Sequence, residues 1–363
     1  MAMAWPRISA PSEPRFALSS RALRAKICLV LLALFLVLSA AISLTAGASD
    51  ASVKAVLGHY LGFNTVISGR DLLIIEQIRL PRVFLGMLVG AALAVSGAIM
   101  QGVFRNPLAD PGLAGVSAGA GLGAAFIIVL GGTFALPFVT YTGFLALPLL
   151  AFVGSLATTA SLYAVSTRHG RTSVPTMLLA GIAFGALAMA ATGCLVYIAD
   201  DHQIRDLSFW QLGSLAGATW LKVATLSAIM VLASTALPFM ARGLNGLSMG
   251  EAVAGHMGIP VETLKRSSIV VVSAMTGGAV AVSGGIGFVG IVVPHVLRLA
   301  IGPDHRYLLP ATALLGAALL VLADAVARII VAPAELPIGI ITALFGAPFF
   351  LWLLLKRRNL LDM

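Results

Sequence analysis

The stretch Gly90-Ala91-Ala92-Leu93-Ala94-Val95-Ser96-Gly97 returns as Gly277-Gly278-Ala279-Val280-Ala281-Val282-Ser283-Gly284, identical at six of eight positions. A proline follows ten residues after each copy, Pro107 and Pro294. Both copies lie inside long apolar runs. A bilayer core takes about 20 such residues per helix, and the chain supplies ten candidate spans: 27–46, 83–103, 112–132, 143–166, 176–199, 222–240, 267–284, 287–301, 308–331 and 338–355. The eighth is short enough to be tilted or broken. The repeat occupies spans two and seven, which run in opposite senses across ten alternating spans. Inverted copies of this kind are a transporter signature, with the substrate path near the interface of the halves. Glycines four apart (Gly86 and Gly90; Gly115, Gly119 and Gly123; Gly181 and Gly185) let helix backbones approach closely inside lipid. The fold class is an all-α polytopic membrane protein.

Composition points the same way. Of 363 residues, 59% are apolar and 10% charged, with a mean hydropathy of +1.02. Soluble domains run near half apolar and a quarter charged, so a soluble globule, a disordered chain and a nucleic-acid binder are excluded. Cys28 and Cys194 sit in apolar runs and imply no disulfide framework. The net charge of +9 reflects topology. With the N-terminus inside, 16 of the 23 Lys and Arg residues collect on the inner side, as the positive-inside rule requires. The division is a cytoplasmic tail over 1–26, a ten-helix domain over 27–355 with an inner loop at 241–266, and a cytoplasmic tail over 356–363. The first run ends in Ala46-Gly47-Ala48, like a signal-peptide cleavage site. It is nearer 20 residues than the ~7–15 of a signal's apolar core, which favours a retained helix. Segments 47–80 and 200–221 are polar outer loops, long enough to be docking surfaces or mere connectors.

Chemistry is sparse. No Gly-x-x-x-x-Gly-Lys-Ser/Thr is present, so no P-loop cradles a nucleotide, and uphill transport would draw on a partner or an ion gradient. Ion-coupled carriers bury ionisable groups at mid-membrane. Here the spans hold chiefly Asp324 and Arg328, four apart and able to pair. No histidine pair has metal-site spacing, no nucleophile–base cluster marks a catalytic site, and no resident cofactor or metal is expected. Met177, Met189 and Tyr197 in span five suit a path for a flat hydrophobic ligand, or ordinary helix packing. A secondary carrier remains open at this point.

Longer motifs narrow the choice. Arg79-Leu80-Pro81-Arg82, the Gly90–Gly97 stretch, Gln101, Arg105-Asn106-Pro107-Leu108-Ala109-Asp110-Pro111, Gly302-Pro303-Asp304-His305-Arg306, Glu335-Leu336-Pro337-Ile338-Gly339 and Thr342–Phe350 together resemble the permease subunits of bacterial iron-chelate, haem and cobalamin ABC importers, of the FecCD type. The resemblance implies the type II importer permease fold and residence in the bacterial inner membrane with both termini cytoplasmic. It implies a homodimer with one path between the copies, two cytoplasmic ATPase subunits that bind ATP and Mg, and a periplasmic substrate-binding protein. It assigns Arg79, Arg82 and Arg328 to docking of the binding protein. It assigns Gly250, Glu251, Ala252, Met257, Gly258, Ile259 and Pro260 to ATPase coupling. The stretch Asp200–Leu215 looks most like the haem branch, making haem the expected cargo, with cobalamin or a ferric siderophore as alternatives.

Overall fold

The uninterrupted apolar runs fold as helices. The computed structural model describes residues 15–46, 58, 68–107, 109–168 and 171–361. Its helices are α1 (Arg15–Thr45), α2 (Gly69–Val103), α3 (Val116–Leu130), α4 (Leu136–Ser166, interrupted by a 3-10 turn at Gly143–Leu145), α5 (Val174–Ile198), α6 (Asp201–Gln211), α7 (Trp220–Ser234), α8 (Leu237–Leu247), α9 (Glu251–His256), α10 (Val261–Ser283), α11 (Val289–Ile301), α12 (His305–Ile330) and α13 (Ile338–Leu361). Between α4 and α5, β1 (Thr167–Arg168) pairs antiparallel with β2 (Arg171–Thr172), Thr167 opposite Thr172.

Six of these helices (α1, α2, α4, α5, α10 and α12) are long and apolar enough to cross a membrane, and α7 with α8 makes a seventh span. Helices α3, α11 and the first part of α13 are apolar but shorter. A helical unit therefore lies at each predicted span, and five features depart from the expected outline. The sixth span is two helices meeting at 53°, because Pro238 stands in the first turn of α8, where its missing N–H costs nothing. The eighth starts only at Val289, after Gly284 (φ 72°) and Phe288 (φ 68°) turn the chain through left-handed backbone. Two segments expected as loops are partly helical. Residues Gly69–Arg79 extend α2 outward through a π-turn at Ile74–Arg79. Asp200 opens α6 with a capping box completed by Gln203. Finally, α13 runs past residue 355 to Leu361.

The two repeat helices form the centre. In their most apolar windows α2 and α10 are each 78% buried, against 11% for α1, α4 and α5. Helix α2 packs on α12 and α11, α10 packs on α4 and α3, and the two pack on each other. Exchanging the halves of the chain exchanges these contacts, so the inverted repeat seen in the sequence is realised in packing. Glycine makes the contacts possible: a methyl on Gly97 would run into the Gly290 carbonyl, and one on Gly90 into the Gly316 carbonyl. Packing at such distances replaces the hydrophobic driving force that lipid cannot supply.

Gly97→Val is expected to destabilise the bundle by about 1–3 kcal/mol or more through overpacking. Gly185, with nothing within 4 Å of an added methyl, should accept alanine silently. Thermal unfolding of the detergent-solubilised proteins tests this, and equal melting temperatures for the two variants would remove backbone contact as the reason for Gly97.

Candidate functional site: two ends of one bundle

Polar side chains concentrate at the two ends of the bundle. At one end lies a buried charge cluster. Asp324, 1% exposed on the last turns of α12, accepts from Arg82 Nε at 3.0 Å and from Arg82 Nη2 at 2.8 Å. It pairs as well with Arg328 Nε at 3.1 Å, one turn along its own helix. The remaining edge of Arg82 forks onto Glu335, Nη1 to Oε1 at 2.8 Å and Nη2 to Oε2 at 3.0 Å. Arg328 continues to the end of α1, donating to Ala46 O at 2.6 Å, Ser43 O at 3.0 Å and Ser43 Oγ at 2.7 Å. Arg79 donates to Leu44 O at 2.6 Å. The last carbonyls of a helix have no partner within it and carry its negative pole; here two arginines meet them. The pairing of Asp324 with Arg328 was expected from their spacing, whereas the entry of Arg82 and Glu335 was not.

The resemblance assigns Arg79, Arg82 and Arg328 to docking of the binding protein. Their exposures are 4%, 6% and 6%, and their donors are directed at partners within the chain. Exposed charge at this end comes from other residues, including Arg70, Asp201, Arg205 and Asp206.

Between the ends, α5 presents most of its length outward. Met189 is 75% exposed and Tyr197 90%, alongside Leu179 and Leu187. Met177 does not share that face: at 2% exposure it belongs to the main core, 12 residues from Met189 and about a third of a turn away at 3.6 residues per turn. The open face of α5 therefore carries Met189 and Tyr197, while Met177 packs in the core.

At the opposite end the inner loop 241–266 is largely helical. Asn245 on α8 holds the start of α12, accepting from the His305 N–H at 2.9 Å and donating to Asp304 Oδ1 at 2.6 Å. A turn through Gly250 (φ 109°) leads into α9. Helix α9 closes with Gly258 at φ 78°, the Gly258 N–H on Gly255 O and the Ile259 N–H on Ala254 O, both 3.0 Å. This pattern is a Schellman stop, which favours glycine at that position. Ile259 packs into the notch at Gly246, Pro260 caps α10, and Ala252 is exposed. Glu251 pairs with the buried Lys265 at 2.9 Å. The resulting module shows an apolar crest: Met249 is 65% exposed, Val253 43% and Met257 60%. Of the three only Met257 was singled out in the sequence, although the four-residue spacing was there to be read. In the loop after α2, the Asp110 carboxyl accepts from the Gly112 N–H at 2.7 Å and is pushed up by burial.

Asp324→Asn would leave two buried arginines short of a counter-charge, a loss of about 3–5 kcal/mol by comparison with other broken buried pairs. Glu335→Gln, on a side chain 38% exposed, should cost clearly less. Similar drops in melting temperature for the two would deny Asp324 its central place.

Comparison with known proteins adds relatives of the same build. The chain is 47% identical over 289 residues to the hemin transport system permease protein HmuU of Yersinia pestis, covering 78% of this chain and 83% of that protein. It is 46% identical over 285 residues to the cobalamin import system permease protein BtuC of Halobacterium salinarum, covering 78% of this chain and 74% of the relative. A solved inward-facing structure of a metal-chelate type ABC transporter superposes with a TM-score of 0.78 at 34% identity, over 90% of this chain and 98% of that one. The profile of the FecCD transport family matches residues 34–356, and the chain belongs to that family.

Proposed function

We propose that the chain is the membrane permease subunit of an ABC importer that carries haem across the bacterial inner membrane. The observation that carries this reading is the 47% identity to a hemin permease along 83% of that protein's length. In this reading the α9 end faces the cytoplasm, where most of the Lys and Arg residues lie, and both termini are cytoplasmic. The crest of Met249, Val253 and Met257 seats in an ATPase subunit, one per copy of a homodimer. That subunit binds ATP with Mg, since this chain has no P-loop. Closing of the ATPase pair displaces α9 and tilts the bundle, exposing the path alternately to either side. A substrate-binding protein docks at the opposite end and biases the same equilibrium. The cargo passes between the two copies, against the exposed apolar face of α5 with Met189 and Tyr197, a surface matched to a flat, largely apolar macrocycle. Cobalamin is the second reading, because a cobalamin permease stands at 46% identity.

Uptake into proteoliposomes containing this chain and its cognate ATPase, with binding protein outside and ATP inside, tests the proposal. Haem should accumulate only with ATP. Accumulation of cobalamin alone would keep the importer and change its cargo, and uptake that ignored ATP but followed an ion gradient would overturn the reading. Replacing Met249, Val253 and Met257 together by Asp should abolish co-purification of the ATPase while leaving the permease monodisperse, and an undiminished complex would free α9 from this role.

A further inference from the structure

Lys265 stands where a charged group is expensive. It lies in the second turn of α10 and is 2% exposed. An ammonium has three donors and no acceptor, and all three are placed: Glu251 Oε2 of α9 at 2.9 Å, Glu262 Oε1 of its own helix at 3.2 Å, and the carbonyl of Thr172 in β2 at 3.1 Å. The other oxygen of Glu262 accepts the Thr172 N–H at 2.9 Å. Both backbone groups of Thr172 are thus held from α10. The two strands are cross-tied: the Thr167 and Thr172 hydroxyls bond at 3.1 Å, and the Ser173 N–H bonds Ser166 O at 3.0 Å. Ser173, the next residue after Thr172, is the N-cap of α5.

A buried ion pair is a weak source of stability, and an apolar residue of similar size often serves as well. What Lys265 supplies that a methionine cannot is a directed three-way connection. From this geometry we propose that Lys265 is a positioning residue that ties α9 to the start of α5 through the β1–β2 hairpin, so that displacement of α9 moves the cytoplasmic end of α5 along with α10. The proposal rests on the reading of α9 as the ATPase seat. It names α5, the helix with the exposed Met189 and Tyr197, as the element the ATPase drives directly.

The test uses the complete importer in proteoliposomes, in a background carrying Cys28→Ala and Cys194→Ala. Single reporters, Ala252→Cys on α9 and Leu179→Cys on α5, are followed by maleimide labelling with and without ATP. In the parent both reporters change reactivity with nucleotide. With Lys265→Met the α9 reporter still responds, the α5 reporter stops responding, and uptake per ATP hydrolysed falls at least about fivefold, the lower edge of ordinary coupling between sites. Glu251→Ala, at a side chain 41% exposed, removes the acceptor and cuts the same connection from the solvent side, giving the same split. It decides the matter if Lys265→Met fails to fold. A purely structural lysine would lower yield or melting temperature without separating the two reporters. A full α5 response with unchanged uptake per ATP in a folded variant overturns the connection. If the α9 reporter of the parent is indifferent to both ATPase and ATP, the seat itself is wrong, whatever Lys265 does.

Discussion

One carboxylate organises the end of the bundle opposite α9. Asp324 is almost wholly buried between Arg82 and Arg328, and each arginine reaches on to something else, Glu335 in one case and the terminal carbonyls of α1 in the other. In a low-dielectric interior an unpaired charge is costly and a shared one is tolerable. The arrangement therefore fixes α1, α2, α12 and the segment leading into α13 relative to one another. Since α2 and α12 belong to opposite halves of the inverted repeat, the same contact fastens the halves together at that end.

The other end is held differently. Lys265 is as deeply buried as Asp324, but its acidic partners Glu251 and Glu262 are 41% and 31% exposed. Bonds to half-exposed carboxylates exchange with water at modest cost, whereas those around Asp324 do not. The Arg82 end is thus centred on a buried carboxylate, the α9 end on a buried ammonium. Between the two ends, the close glycine contacts of α2 with α11 and α12 leave the central helices few alternative positions.

Much of this was legible in the sequence because lipid imposes simple rules. Long apolar runs became helices, and the Gly90–Gly97 repeat marked the two most buried ones. The bend after α7 was less visible: Pro238 was present, but nothing in composition separated a kinked span from a straight one. Charge was hardest to read. Arg79 and Arg82 look like surface residues because arginine usually is one, and they precede the apolar run rather than interrupt it. The three-dimensional approach of Asp324, 242 residues away, takes Arg82 inside, and the end of α1 takes Arg79 at Leu44. Met189 and Tyr197 were placed on an open face and Met177 was not, a difference of helical phase that depends on which neighbours α5 meets. Lys265 carried no sequence signal beyond its position, since the carbonyl it holds lies 93 residues earlier.

The bond from Arg328 to the carbonyl of Ala46 spans 282 residues. During synthesis α1 emerges well before α12; Arg79 is available to Leu44 early, but the Ala46 carbonyl waits for Arg328 until α12 follows. At about 5–20 residues per second that interval is on the order of half a minute. Throughout it the Ser43 and Ala46 carbonyls that Arg328 later takes are left to interfacial water and lipid headgroups. Closure of this end is consequently among the last events of biogenesis. A nascent chain arrested before α12 would carry all of its early helices but hold the end of α1 without the bonds from Arg328, leaving α1 more exposed to quality control as an incompletely assembled segment.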